Sequence, residues 1–371
     1  MARRRRFTAR NKKRTILRLA LVLLVPLLLA GGVYGVIQLF KGGGHKATLK
    51  EAPFSASDIY TYTGTGFLYY KDGKLSFQHD TDKKSNYTLS VSSAATALRL
   101  SAGAKLSALY NDTSVLITGA DAPITLNGTV QKVICGSDHL AVFVLGDAGG
   151  SLQVFDAKGA QTDSMDFSAG VLLDFGIDTT AAETLWTLTL DNSGSIPVST
   201  ITTYNLAQSV TDGLMSVQNE LLEDVVFSTS SIFSVGTCHI IRYNRAGNAE
   251  VYRELVYGWR VTDYSPASPP VFLLEERADS GFSRIRLYAL QEGELPAERI
   301  ASVQLPDDAL GAHLFNGKLA IFTPARVLFY DAGGTALSSL DFEEPVTAAA
   351  KLSESKALLQ CGERCFVLDI K

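Results

Sequence analysis

"VQKVICGSDHLAVFVLGDAGGSLQVFDAKGAQTDSMDF", residues Val130–Phe167, is the stretch that decides the fold. Its apolar and polar residues alternate with a period of two in four short runs, and each run stops at Gly, Asp, Ser or Ala. Period-two runs rich in β-branched and aromatic residues are strands, and the small polar clusters between them are hairpin turns. "VQKVIC" reads as an inner strand, "HLAVFVLG" as the second, "SLQVFD" as the third and "AQTDSMDF" as the outer one. "DAKG" turns the third strand into the fourth.

The end of the third strand recurs. Phe155 precedes Asp156 and Gly159; Tyr204 precedes Asn205; Tyr243 precedes Asn244 and Gly247; Tyr330 precedes Asp331 and Gly333. Tyr288 heads a longer turn that ends at Gly293. Successive spacings from Phe155 are 49, 39, 45 and 42 residues, and the phase extends to Leu368 and back to Ile117 and His79. That makes eight phases at a mean of about 41 residues, and a period of about 40–50 with several short strands per unit is the mark of a β-propeller blade. The chain is therefore read as all-β, with a β-propeller over residues 57–371. The count favours eight blades and leaves seven open, because the first unit (58–91) is weakly patterned. "VQNELLEDV" (Val217–Val225) is the only modest helical candidate in that region, with a loop or a single turn as the alternatives.

Residues 345–371 hold only three strands of the last unit, ending at "VLDIK". An unclosed ring leaves unpaired strand edges, which invite aggregation. The segment near Ala47–Phe54 is expected to supply the missing outer strand, so residues 41–56 read as a tether and ring-closing strand.

The opening residues concern compartment. Arg3, Arg4, Arg5, Arg6, Arg10, Lys12, Lys13, Arg14 and Arg18 precede 22 residues without charge, Leu19–Phe40. A bilayer core needs about 20 apolar residues, whereas a cleavable signal has an apolar region of about 7–15. Pro26, Gly31, Gly32 and Gly35 are tolerated in a membrane helix. Residues 1–18 are thus read as a cytoplasmic tail, 19–40 as one transmembrane helix, and the remainder as extracytoplasmic by the positive-inside rule. Cleavage after Ala30 is the rival reading. Beyond residue 40 the chain carries 25 basic and 38 acidic residues, a formal net of −13. Such a surface argues against nucleic acid as the main ligand and leaves cations, neutral ligands or proteins open. With the span, the partners are read as the membrane, through the N-terminal helix, and a protein or cell-envelope ligand.

"LWTLTLDNSGSIPVSTITTYN" (Leu185–Asn205), "DVVFSTSSIFSVGTCHIIRYN" (Asp224–Asn244) and "LVYGWRVTDY" (Leu255–Tyr264), with the basic anchor, resemble a family of membrane-anchored propeller proteins from Gram-positive, clostridia-like bacteria. The resemblance implies an extracytoplasmic propeller on one membrane helix and carries over no activity. More distantly the pattern is similar to quinoprotein-type propellers. Their repeat has a docking Trp in each blade, and Trp186 and Trp259 are the only tryptophans here, so no cofactor is assigned.

No catalytic signature stands out. His45, His79, His139, His239 and His313 show no zinc-site spacing, and no nucleophile elbow occurs. Gly64 and Gly66 lack the third glycine of a dinucleotide loop, and Asp80, Asp82 and Asp191 lie in turns without a full calcium loop. No catalytic, cofactor or metal residue is assigned. Cys361 and Cys365 flank a three-residue turn, Gly362-Glu363-Arg364, and are read as facing each other across a hairpin, either bridged or as two free thiols. Cys135 and Cys238 are read as apolar thiols on separate strands. "TDYSPASPP" (Thr262–Pro270) reads as a docking edge or as the link between an inner and a second strand. Function is read as a binding or scaffolding platform, with a propeller hydrolase acting on envelope glycans as the alternative.

Overall fold

The computed structural model describes residues 47–91, 97–167, 170–245, 248–266, 270–277, 284–289 and 298–370. The tail and the span read at residues 1–18 and 19–40 lie outside them. Among the described residues no helix is long and apolar enough to cross a membrane.

The strands are β1 (Ala47–Ser55); β2 (Ile59–Tyr62), β3 (Gly66–Lys71), β4 (Lys74–His79) and β5 (Tyr87–Ser90); β6 (Arg99–Ala102), β7 (Ser107–Tyr110), β8 (Ser114–Ile117) and β9 (Ile124–Thr125). Next come β10 (Thr129–Cys135), β11 (His139–Gly146), β12 (Gly149–Asp156) and β13 (Gln161–Phe167), then β14 (Val171–Asp178), β15 (Thr184–Asp191), β16 (Val198–Asn205) and β17 (Val210–Gln218). They continue with β18 (Leu222–Phe227), β19 (Ser231–Gly236), β20 (His239–Asn244) and β21 (Glu250–Leu255), then β22 (Trp259–Ser265), β23 (Val271–Glu276), β24 (Arg284–Ala289) and β25 (Glu298–Gln304). The last are β26 (Gly311–Phe315), β27 (Lys318–Phe322), β28 (Arg326–Tyr330), β29 (Ala336–Asp341), β30 (Ala348–Ser353), β31 (Lys356–Cys361) and β32 (Arg364–Ile370).

They form eight four-stranded sheets. Seven follow chain order, from β2-β3-β4-β5 to β26-β27-β28-β29; the eighth runs β1-β32-β31-β30. Every pairing is antiparallel, and buried clusters join each sheet from the second onward to the next. Phe155 and Val142 of the third sheet bury against Tyr110 and Ile117 of the second, and Phe233 of the fifth against Phe272 and Trp259 of the sixth. Phe54, Cys365 and Val367 of the eighth sheet bury with Phe67 of the first, so the stack returns on itself as a β-propeller. Ala47 lies opposite Ile370, so β1 is the outer strand of the eighth sheet. Inner strands (β10, β14 and their equivalents) start at one end of the ring and finish at the other. Ala47, where the chain joins the ring, lies at the second end, here called the entry end; the turns between second and third strands lie at the far end.

The aromatic repeat has a physical cause. At Phe155, Tyr204, Tyr243, Tyr288 and Tyr330 the register between third and fourth strands shifts, leaving one extra residue on the fourth strand. The Asp that follows closes the turn: Asp156 Oδ1 accepts from Lys158 N and Ala160 N, both at 2.9 Å, and Asp331 Oδ1 accepts from Thr335 N at 2.8 Å. Gly159 (φ +86°) and Gly334 (φ +77°) take the left-handed position these turns require.

Three sequence readings are corrected. Val217–Val225 is no helix: β17 ends at Gln218, Asn219–Leu221 turn, and β18 begins at Leu222. Cys238 lies in the turn between β19 and β20 rather than on a strand. Cys361 and Cys365 do not face each other. The turn holds two residues, Gly362 (φ +61°) and Glu363, so Cys361 pairs with Arg364 and Cys365 with Gln360. One residue of register puts a side chain on the other face: Cys361 packs toward the seventh sheet and Cys365 toward the first, both as free thiols.

Candidate functional site

The inner strands carry a row of charges that was not singled out in the sequence. On β10, β14, β18 and β22 the register to the second strand shifts by one residue. The first paired residue after each shift is Lys132, Asp174, Asp224 and Asp263. A bulge re-aims a side chain by turning the strand locally, and here it sets one ionisable group per sheet at the same level of the ring. The three aspartates share a local geometry. Each accepts through Oδ1 from the next residue's N–H, that of Phe175, Val225 and Tyr264, at 2.7 Å.

Lysines tie down the two ends of the row. Lys132 Nζ lies 2.5 Å from Asp174 Oδ1 and donates to the Phe175 carbonyl at 3.3 Å. Lys351, on β30, reaches Asp263 Oδ1 at 3.3 Å, the Tyr264 carbonyl at 2.8 Å and Glu354 Oε1 at 2.6 Å. Asp263 Oδ2 accepts from Leu314 N at 2.7 Å and lies 3.5 Å from His313 Nδ1. Burial alone would raise the Asp263 pKa, but the His313 bond, the Lys351 charge and two backbone N–H groups outweigh it and hold the carboxyl below its usual value.

Asp224 differs. Among the described residues it has no ion-pair partner, and its pKa is raised, first by the protein packed around it and then by the charge of Asp174, with Lys132 opposing. It still touches solvent, since it is exposed on β18. A carboxyl of this kind, flanked by neutralised ones, is the least satisfied charge of the row.

The histidines are held by turns and carboxylates. His139 Nδ1 lies 2.7 Å from Glu183 Oε2, and Glu183 Oε1 also accepts from Ser137 N and Asp138 N. His239 Nδ1 lies 2.8 Å from Glu220 Oε2, whose other oxygen accepts from Cys238 N and His239 N. Gly136 and Gly236 pass so close to these carboxylates that a Cβ would collide with Glu183 and Glu220. The shared "Gly-x-x-His" at 136–139 and 236–239 was the available signal. His79 Nδ1 accepts from Asp82 N at 2.9 Å. Asp80 bonds Tyr62 and Lys356, Asp82 caps a 3₁₀ turn and Asp191 caps Ser193, so all three are structural here. Gly66 lies against the Gln78 carbonyl, an approach only glycine permits. Cys135 is buried, and burial pushes its thiol up to about 12. Residues 267–269 lie outside the described residues; β22 ends at Ser265 and β23 begins at Val271, so Thr262–Pro270 spans the link from an inner strand to a second one. Among the described residues no group of three or more His, Cys, Asp and Glu is placed to hold a metal ion.

No protein-family model matches the sequence, and no curated protein matches it. Solved structures do match in fold. BamB from Moraxella catarrhalis is 9% identical, with 87% of this chain and 98% of that one covered at a TM-score of 0.55. The WD40 domain of SCAP from fission yeast is 8% identical, with 88% and 95% covered at a TM-score of 0.62. The computationally designed Ika8 protein is 9% identical, with 87% and 98% covered at 0.54. Identities this low establish the architecture alone: the chain is a β-propeller, similar in fold to these proteins.

Proposed function

We propose that this chain is an eight-bladed propeller held at a cell membrane by residues 19–40, working outside the cytoplasm as a binding or scaffolding platform for a protein or cell-envelope ligand. The observation that carries the reading is the inner row, in which two of the three aspartates are already held by lysines. Lys132 holds Asp174 and Lys351 holds Asp263, so the inner strands serve the ring and recognition falls to the loops. Propellers of the WD40 and BamB type, which share the fold, support a platform by analogy of architecture only. Crosslinking in intact cells with the full-length chain as bait is the test. A polypeptide joined to the chain supports the reading, and recovery of nothing but lipid and bulk wall material ends it. Fractionation tests the anchor: the chain stays with membranes and is released only by detergent, whereas a mature protein starting near residue 31 in the medium overturns that half.

A second reading, a hydrolase acting on envelope glycans, draws on Asp224. A carboxyl with a raised pKa among other carboxylates is what general acid catalysis needs. Release of soluble glycan fragments from cell walls by the protein, abolished by Asp224→Asn, would favour it over the platform.

A further inference from the structure

The far end of the ring differs from the entry end in what it exposes. Leu145 at the end of β11, Val171 at the start of β14 and Ile196 in the β15–β16 turn are half exposed or more. Leu221 between β17 and β18, Leu255 at the end of β21 and Tyr257 before β22 follow, at 42%, 64% and 77% exposure. All six lie at the far end of four consecutive sheets, the third to the sixth. Exposed apolar residues in such an arc mark an interaction surface, where scattered ones would not.

Among the described residues the same arc is acidic. Arg260 and Arg277 stand there, but Glu275 and Glu223 already pair with them at 3.0 and 2.6 Å. Asp147, Asp166, Asp191 and Asp307 are exposed beside them and take part in no ion pair among the described residues. An open hollow of about 810 Å³ sits at this end of the third sheet, between the β9–β10 link and the β11–β12 turn. Leu145, Asp147 and Asp166 line it together with Gly128, Gly146, Gly149 and Gly150. A side chain at Gly128 would meet the Leu145 carbonyl and one at Gly150 the Phe143 ring, so both positions require glycine. Asn127, Thr129, Ala148 and Ser151 complete the lining, so the hollow holds two carboxylates and no cationic side chain.

We infer that the far end, across the third to sixth sheets, docks a partner polypeptide whose contact segment is basic and apolar, with a Lys or Arg side chain entering the hollow between Asp147 and Asp166. Complementary charge selects the sign of the partner and speeds encounter, while burial of Leu255 and Tyr257 supplies the anchoring area. The inference rests on the platform reading and adds to it a face and a partner chemistry.

The test uses the full-length chain in the cells it comes from, with the photocrosslinker p-benzoylphenylalanine placed singly at Tyr257 and Leu145 on the far end, and at Lys105 and Lys158 on the entry end. The expected result is an adduct from 257 and 145 to another polypeptide whose crosslinked segment has net positive charge and apolar residues. Adduct yield falls at least fivefold with Asp147→Lys or Leu255→Asp and is kept with Lys158→Asp, while unchanged circular dichroism confirms that each variant folds. Adducts only between two copies of this chain, or to a segment without basic residues, overturn the inference. Adducts from 105 and 158 alone overturn it too, yet leave the platform reading standing. No adduct from any of the four positions removes both.

Discussion

Leu49 of β1 lies opposite Leu368 of β32, so residues near the two ends of the chain share one register in the eighth sheet. Lys50 and Asp369 add an ion pair at 3.4 Å and Glu51 with Arg364 another at 3.0 Å. Exposed pairs of this kind are worth little, typically about 0–1 kcal/mol. The strength of the seam lies in its apolar contacts, and above all in Phe54. That ring is 4% exposed, stacks on Tyr60 at 4.3 Å and touches Phe67 at 5.0 Å.

Phe54→Ala is therefore expected to destabilise the ring by about 3–5 kcal/mol, the usual range for emptying a buried aromatic site. Urea unfolding of the full-length chain measures it. A loss below about 1 kcal/mol, the scale of a surface change, would mean that β1 does not close the sheet.

The inner row predicts two aspartates with opposite pH signatures. Asp263 has a folded pKa below its unfolded one, so its ionised form favours the native state. That stability is present above the ordinary carboxylate value of about 4 and is lost as pH falls through the folded value. Asp263→Asn should lower the melting temperature at neutral pH, with the difference shrinking in acid.

Asp224 is the reverse. Its folded pKa is raised, so ionisation opposes folding above that value and the penalty disappears on acidification. Asp224→Asn should raise the melting temperature at neutral pH and leave it unchanged below about pH 4. Melting curves of both variants across that range decide the matter, and shifts of the same sign would refute the assignment.

Glu220 is buried, and it satisfies the N–H groups of Cys238 and His239 at 2.8 and 2.7 Å. Glu220→Ala leaves those donors without an acceptor, at a cost of about 1–3 kcal/mol. Hydrogen exchange should quicken at the amides of residues 238 and 239, with Glu220→Gln recovering part of the protection. Unchanged exchange would show that the carboxylate does not cap the turn.

The register at Gly362 and Glu363 predicts separate fates for two thiols. Cys361 is half-buried and Cys365 buried. Under mild oxidation the native protein should yield no peptide bridged between them, and alkylation should modify Cys361 first. A bridged fragment in non-reducing mass spectrometry would contradict the two-residue turn.

Much of the architecture was legible because it is written in short-range chemistry. The runs at Val130–Phe167 became β10 to β13 almost residue for residue, since alternation and turn residues act within a few positions. The aromatic–Asp repeat was visible for the same reason: it is the local signature of a turn with a bulge. At Val217–Val225 the turn alternative holds over the helical one: the apolar residues straddle a turn made of Asn219, Glu220 and Leu221, which periodicity does not register. The inner row escaped notice although Asp174, Asp224 and Asp263 each precede an apolar residue in the repeat phase. Their pattern is a single residue per unit, and only the bulge before each one gives it meaning.

Strand content, period and the three-stranded remainder at the end of the chain follow from the sequence alone, because hydrogen-bonded strands and tight turns depend on neighbours in the chain. Which residues meet does not. That Lys132 holds Asp174, that Lys351 reaches past His313 to Asp263, and that Cys361 and Cys365 turn away from each other were decided by register and by the packing of one sheet on the next. A shift of a single residue reverses the face of every side chain after it, and that choice is made by the apolar contacts between sheets rather than by any one segment.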